Sequence, residues 1–307
     1  MSSTDLQGRT AVVTGAGAGL GRAEALALAS AGANVVVNDM GPAADDVVCE
    51  IKALGVGAVA VIGDVGDWSM GDRLVAAAVE TFGGLDIVVN NAGITRDTML
   101  FNLTESQWDD VIRVHLKGHA AVSRAAAVHW RSASKAAGGP VYGRVVNTSS
   151  EAFLFGSAGQ PNYSAAKAGI TALTLSTAQG LSRYGVTANA ICPRARTEMT
   201  ADVFDTDPTG GELDILAPER VATFVSWLAC PASAEVNGQV FVVYGDMVAL
   251  MAPPTVEHKF TAADGVFSVE ELSQQVAPYF SGRGPYANFA AYSVAELDTT
   301  GVQNLAN

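Results

Sequence analysis

A chain of 307 residues that is 49% apolar and 16% charged can bury a large core, which excludes wholesale disorder. Its net charge of −13 argues against nucleic acid or an anionic membrane surface as the main partner, while an anionic cofactor stays open because that needs only local donors. Three scattered cysteines, Cys49, Cys192 and Cys230, make no disulfide framework, "MSSTDLQGRT" lacks the apolar run of a signal peptide, and no apolar run approaches a membrane span. A reducing cytoplasm, without membrane insertion, is the expected setting.

Strand-like and helix-like runs alternate along the chain. "TAVVT" (10–14) reads as a strand, "LGRAEALALASAG" (20–32) as a helix closed by Gly32, "NVVVND" (34–39) as a strand and "AADDVVCEIKALG" (43–55) as a helix. Strands follow at 58–64 and 85–93, around a helix at 67–82. A long helix is expected over 105–130, with Thr104 as N-cap and Gln107 at the capping-box position. Strands at 143–150 and 186–192 bracket a helix at 162–184. A helix at 218–230 and a strand at 238–245 complete the series. Short, wholly apolar strands between helices predict an α/β fold: a Rossmann-like, doubly wound parallel sheet of about seven strands with helices on both faces. Residues 1–251 are read as one domain. The more polar 252–307 are read as a C-terminal extension packed on it, with one helix near 268–280.

Ligands of such sheets sit beyond the carboxyl ends of the strands. "TGAGAGLG" (14–21) stands there, between a strand and a helix. It fails G-x-G-x-x-G in every register but fits T-G-x-x-x-G-x-G through Thr14, Gly15, Gly19 and Gly21, with Leu20 between the last two. Backbone amides at a helix start attract phosphate, and glycines let it approach; the bland alternative is a ligand-free turn. Asp39 ends the second strand, 18 residues after Gly21, and can accept both hydroxyls of an adenosine ribose. No Arg or Lys stands at 16–18 or 38–41 to welcome a 2′-phosphate, so NAD is favoured over NADP. The competing reading makes Asp39 a turn former before Gly41-Pro42. Asp64 and Val65, after the third strand, are placed at the adenine edge. Asn91, Ala92 and Gly93 of "NNAG", after the fourth, are placed on the cofactor floor.

Tyr163 and Lys167, four apart, share one helix face. A free tyrosine titrates near pH 10, and a neighbouring ammonium pulls that down toward use as a base. Ser150 ends the preceding strand, 13 residues earlier, and its hydroxyl can hydrogen-bond the same substrate oxygen. At these residues the chain resembles the short-chain dehydrogenases/reductases over about residues 7–250, through T-G-x-x-x-G-x-G at 14–21, "NNAG" at 90–93, Ser150 and Tyr163-x-x-x-Lys167. The resemblance implies hydride transfer between NAD and a carbon bearing oxygen. Ser150 would polarise the oxygen, Tyr163 would act as acid/base, and Lys167 would hold the nicotinamide ribose and tune the tyrosine. It further implies a homodimer or homotetramer built through helices 105–130 and 162–184.

Three departures narrow the resemblance. His115, in "RVHLKGH", stands where most of the family has a water-holding asparagine, and is carried as a fourth catalytic-site residue. In "CPRARTEMT" (192–200), Pro193 is followed by Arg194 where the family has glycine, which shifts the nicotinamide-binding threonine to Thr197. The third departure is the tail beyond 250. Together they resemble the (3R)-hydroxyacyl-CoA dehydrogenase branch of the multifunctional enzyme type 2 kind. They are similar also to its stand-alone actinobacterial relatives of sterol side-chain β-oxidation, through "NTSSEA", "CPRARTEMTADVF" and "EVNGQVFVVYG". The longer "SASKAAGGPVYG" (132–143) is expected at the far end of the sheet from the chemistry.

His115 and His119 also have the spacing of a helical metal pair, but a third ligand and an H-E-x-x-H are missing, so no metal is expected. Both fall with Trp108, Ile112 and Val122 on the apolar stripe, and His119 is read as packing. Arg194 and Arg196 are set out as contacts to acyl-CoA phosphates, against pairing with Glu198 or Asp202. The acidic, Gly/Pro-broken 200–217 is a lid candidate. The leading expectation is an NAD-dependent oxidation of a 3-hydroxyacyl-CoA, a thioester that extends to steroid side chains. Against it stand an acyl-carrier-protein 3-oxoacyl reductase, a free-alcohol dehydrogenase and a non-catalytic nucleotide sensor.

Overall fold

Adjacent strand residues point to opposite faces of a sheet, so a strand that is apolar throughout needs cover on both sides. In the computed structural model, β1 (Thr10–Thr14) is buried at every position, as are β4 (Ile87–Asn90) and β5 (Gly143–Thr148). Residues 5–197, 214–284 and 288–297 are described. The chain divides into two units, Met1–Leu250 and Met251–Asn307. In the first, β2 (Asn34–Asp39), β3 (Ala58–Ile62), β6 (Val186–Pro193) and β7 (Val240–Tyr244) complete a parallel sheet ordered β3-β2-β1-β4-β5-β6-β7. An eighth strand, β8 (Met247–Leu250), pairs antiparallel with β7 at the edge. The sequence reading has about seven strands, because four residues with alternating exposure carry little periodic signal.

The two faces read directly from the strand alternation. Val13, Val35, Val37 and Val89 pack with Leu28 of α1 (Gly19–Ser30), Ile51 of α2 (Ala43–Ala53) and Leu228 of α8 (Pro218–Ala229). Val12, Val36, Val88 and Val145 pack with Leu74 of α3 (Trp68–Phe82), Trp130 of α5 (Gly118–Ala137) and Ala178 of α7 (Pro161–Leu181). Each such Leu or Ile, fully buried, contributes about 1.5–3 kcal/mol. Trp130 also donates its indole N–H to the Leu85 carbonyl at 2.7 Å, so the ring is buried without an orphan donor.

The long helix is where sequence and structure differ most usefully. α4 (Glu105–Ile112) starts on the expected Thr104–Gln107 capping box. It then passes through a π-helical turn, Arg113–Lys117, before α5. α5 runs on to Ala137, where Gly138 closes it in the left-handed conformation. Thus residues 132–137 of the long "SASKAAGGPVYG" stretch extend the helix beyond the expected 130 rather than forming a loop. They precede β5 and so lie at the amino end of the sheet. In the second unit, α9 (Val269–Phe280) is capped by Ser268, whose hydroxyl accepts from the Glu271 amide at 3.0 Å.

Strand order reverses between β1 and β4, which lie side by side while β2 and β5 run outward. A crevice opens at the carboxyl ends of strands where such a reversal occurs.

Candidate active site

A cleft of ≈ 430 Å³ lies at that reversal and is lined by Gly15, Gly19, Leu20, Asp39, Asn91, Ala92, Gly93, His115, Ser150, Tyr163, Lys167, Pro193 and Thr197. Ala18, Thr148, Ser149 and Ala195 complete its wall. At the nucleotide end, the N-cap of α1 is Ala18, with no side-chain cap and no acidic residue in the first turn. The first amides of α1 therefore carry partial positive charge with neither an N-cap side chain nor a first-turn carboxylate to answer it, which suits a phosphate group. Gly15 has φ +62, and a Cβ there would stand 2.7 Å from Cα of Ala92. The turn thus lies directly on the "NNAG" segment, and Thr14 Oγ1 accepts from the Asn91 amide at 3.0 Å. These features fit a dinucleotide, with the glycine turn for the pyrophosphate and Asp39 for the adenosine ribose.

Asp39 ends β2 with its carboxylate held by backbone: Oδ2 accepts from the Gly17 amide at 2.9 Å and Oδ1 from the Met40 amide at 2.7 Å. The carboxylate is thus fixed from two sides, by the glycine turn through Gly17 and by its own turn through Met40. The first cation along α1, Arg22, is engaged by Glu50 of α2.

At the chemical end, α7 carries Tyr163 and Lys167 on the face toward β5. Asn162 fixes the start of that helix: its Oδ1 accepts from the Tyr163 amide, and its Nδ2 donates to the carbonyls of Arg96 (3.2 Å) and Gln107 (3.1 Å). Lys167 is 2% exposed and donates to the Thr148 carbonyl at 2.6 Å. Its ammonium stands 5.3 Å from the centre of the Tyr163 ring. Ser149 Oγ donates to the Lys167 carbonyl at 3.0 Å, tying β5 to α7 a second time. Burial pushes the Lys167 ammonium down to about 7 and the Tyr163 phenol up to about 12, with a hydrogen bond from Ser150 opposing the tyrosine shift. Both shifts come from desolvation of the charged form. An anionic phenolate beside the ammonium relieves both, since each charge favours the charged form of the other.

His115 lies in the π-turn, 1% exposed, where one extra residue in the turn redirects a side chain. Its Nε2 is 2.7 Å from the Ile94 carbonyl oxygen. Its ring meets the Tyr163 ring edge-on at 5.2 Å. Burial, then the charge of Lys167, hold His115 well below the usual imidazole range, so it is neutral at pH 7. The Ile94 amide donates to the same Nε2 at 3.0 Å, so Nε2 meets both backbone polar groups of Ile94, while Nδ1 is buried with no hydrogen-bond partner among the described residues. His119, 2% exposed, is pushed down to about 3 by burial. No group of three or more potential metal ligands occurs among the described residues.

Several expected residues stand outside the cleft lining. Gly21 packs: a Cβ there would be 2.2 Å from the Gly15 carbonyl oxygen and 2.5 Å from Nδ2 of Asn91. Asp64 gives its carboxylate to Arg113 of the π-turn and to the Gly66 amide, at 2.7 Å for the latter. Burial alone would raise its pKa, but the Arg113 hydrogen bond brings it below the usual carboxylate value. Val65 is buried against Gly118. Arg194 is 4% exposed and forms a two-pronged ion pair with Glu151; Arg196 pairs with Asp214 at 2.7 Å. The acids weighed as their partners, Glu198 and Asp202, lie outside the described residues, as does the lid candidate up to residue 213. Thr148, Ser149, Glu151 and Asn162 were not singled out from the sequence. Only the Ser149-Ser150 tandem and an asparagine directly before Tyr163 hinted at them.

The chain matches the family model described as short chain dehydrogenase over residues 9–208. It is 58% identical over 299 residues to the hydroxyacyl-CoA dehydrogenase ChsB1 of Mycobacterium tuberculosis, covering 94% of each chain. It is 43% identical over 246 residues to the peroxisomal multifunctional enzyme type 2 of Mus musculus, 77% of this chain and 31% of that much longer one. The crystal structure of a short chain dehydrogenase from Mycobacterium avium superposes with a TM-score of 0.83 at 46% identity, covering 93% of this chain and 99% of the other. With the glycine turn, the pinned carboxylate and the Ser–Tyr–Lys group gathered in one cleft, the chain belongs to the short-chain dehydrogenases, oxidoreductases that act on a CH–OH group.

Proposed function

We propose that this protein is an NAD-dependent dehydrogenase that interconverts 3-hydroxyacyl-CoA and 3-oxoacyl-CoA thioesters, including those whose acyl group is a steroid side chain. The single observation that carries the reading is the placement of Ser150, Tyr163 and Lys167 in the same cleft as the backbone-held Asp39. The likeness to a hydroxyacyl-CoA dehydrogenase along nearly the whole chain supports the substrate class. When bound, NAD supplies the hydride acceptor. Ser150 and Tyr163 hydrogen-bond the oxygen on the reacting carbon, and Tyr163 takes the hydroxyl proton as the carbonyl forms. Lys167, fixed on the Thr148 carbonyl, holds the ribose and favours the phenolate. Neutral His115 steadies the Ile94 backbone beside the cofactor floor and packs its ring on Tyr163.

In the same proposal the enzyme works in the reducing cytoplasm as a homodimer or homotetramer through α4–α5 and α7. All three cysteines are free, and no helix among the described residues is long and apolar enough to cross a membrane. Val128 on α5 and Leu175 on α7 are exposed, as an uncovered subunit face requires.

The test is turnover of a panel: (3R)- and (3S)-3-hydroxyacyl-CoAs of several chain lengths, a steroid-side-chain acyl-CoA and free sterols, each with NAD and with NADP. The readout is absorbance of the reduced nicotinamide. Oxidation of at least one 3-hydroxyacyl-CoA with NAD is expected. Turnover with NADP alone overturns the role of Asp39. Turnover of free alcohols but of no thioester overturns the substrate class.

A further inference from the structure

One buried ion pair ties the carboxyl ends of three strands beside the catalytic serine. Glu151 directly follows Ser150 just beyond β5, which ends at Thr148, and Arg194 directly follows Pro193 at the end of β6. Arg194 Nε donates to Glu151 Oε2 at 2.6 Å and Nη2 to Oε1 at 2.6 Å, a fork meeting a carboxylate head-on. The guanidinium lies 4.6 Å over the ring of Tyr244, the last residue of β7, and the Arg194 amide donates to the Val243 carbonyl at 3.0 Å. Glu151 is 8% exposed, Arg194 4% and Tyr244 0%.

Both partners are coupled to the cleft through backbone. The Glu151 carbonyl accepts from the Leu154 amide at 2.8 Å, so Glu151 opens α6 (Ala152–Phe155), and Ser150 Oγ accepts from the Ala152 amide at 3.1 Å. A shift of Glu151 is therefore a shift of Ser150. On the other side, Pro193, Ala195 and Thr197 line the cleft on either side of Arg194.

A pair buried this deeply gives little net stability, since desolvation offsets the attraction and an apolar pair of equal volume is often as stable. What the fork does supply is a single geometry. We propose that Glu151 and Arg194 are positioning residues, a clamp that holds the Ser150 hydroxyl in register with the Pro193–Thr197 wall across the cleft. The clamp replaces the reading of Arg194 as a contact to substrate phosphate, because a carboxylate already occupies the fork. The inference rests on the dehydrogenase chemistry of the family and not on the acyl-CoA reading.

The double variant Glu151→Leu/Arg194→Met removes both charges and keeps the volume. It is expected to melt within a few degrees of the parent and to bind NAD with a Kd within about twofold by calorimetry. Its kcat is expected to fall at least tenfold while KM moves less than threefold. Arg194→Lys, which keeps the charge and loses the fork, is expected to recover part of the lost kcat. A parental kcat in the double variant overturns the clamp, and so does a loss confined to KM or to NAD binding. Should the double variant not fold, Arg194→Lys decides by the same split, and an unchanged kcat overturns the clamp. Rates are read relative to the parent on whichever alcohol of the panel the parent oxidises, so failure of the acyl-CoA reading is not mistaken for failure of the clamp.

Discussion

The nucleotide end and the chemical end of the cleft are built from different materials. Around β1 and β2 the working groups are main-chain amides, glycines that keep side chains out of the way, and one carboxylate held by backbone amides. Around β5, β6 and α7 they are side chains whose charged forms are desolvated: Lys167 is held down to about 7 and Tyr163 up to about 12 by burial, and Glu151 and Arg194 are locked together. Recognition of a phosphate chain needs only partial charges in fixed places, which a backbone provides at no desolvation cost. Proton transfer needs groups poised between two protonation states, which only buried, mutually adjusted side chains provide.

Removing the proposed acid/base is the strongest way to break this division. Tyr163→Phe should lower kcat by about 10²–10⁴-fold, the usual worth of a positioned acid/base, with NAD affinity unchanged in a fluorescence titration. Retained turnover would place the proton transfer elsewhere. At the other end, Gly21→Ala drives a Cβ into the Gly15 carbonyl 2.2 Å away. Overpacking of this kind costs about 1–3 kcal/mol. It should appear as a weaker Kd for NAD, or a lower melting temperature, with the kcat of the saturated enzyme preserved.

The pH profile sharpens the comparison through its sign. In the proposed mechanism alcohol oxidation needs Tyr163 deprotonated, and burial raises its pKa to about 12 in the ligand-free protein. Hence kcat/KM for oxidation should rise toward high pH, about tenfold per unit while the phenol dominates, whereas carbonyl reduction, which needs the proton in place, should not rise. A flat oxidation profile from pH 7 to 9 would remove Tyr163 as the titrating base. Asp39→Ala should weaken NAD by about tenfold, the loss of roughly one charge-assisted hydrogen bond or two ordinary ones, and narrow the preference over NADP. An unchanged cofactor ratio would leave Asp39 as a turn former only. The smallest effect is expected for His115→Asn. Asparagine can keep a hydrogen bond to Ile94 but loses the ring contact to Tyr163, so kcat should stay within about threefold, checked alongside an unchanged pH profile.

The order of elements, the glycine turn, Asp39 and the Ser150–Tyr163–Lys167 group were legible in the chain itself. Strand alternation and glycine placement are local, and each glycine that the backbone requires stands at the turn that requires it. The π-turn was not legible, because "RVHLK" has the same helical residue types as the turns around it and only packing decides where the extra residue is absorbed. Asp64 shows the same limit, since its Arg113 partner stands 49 residues away.

The sequence by itself determined a doubly wound sheet, its membership of the short-chain dehydrogenases, and which residues stand just beyond the carboxyl ends of the strands. These follow from short-range rules of periodicity, turn conformation and spacing on one helix face. Only the tertiary structure decided what the buried charged groups do. It paired Arg194 with Glu151 from 43 residues away, set Lys167 against the Thr148 carbonyl and seated neutral His115 on Ile94. The physical reason is that the energy of a buried polar group depends on partners that distant segments bring to it, and no local pattern names those partners.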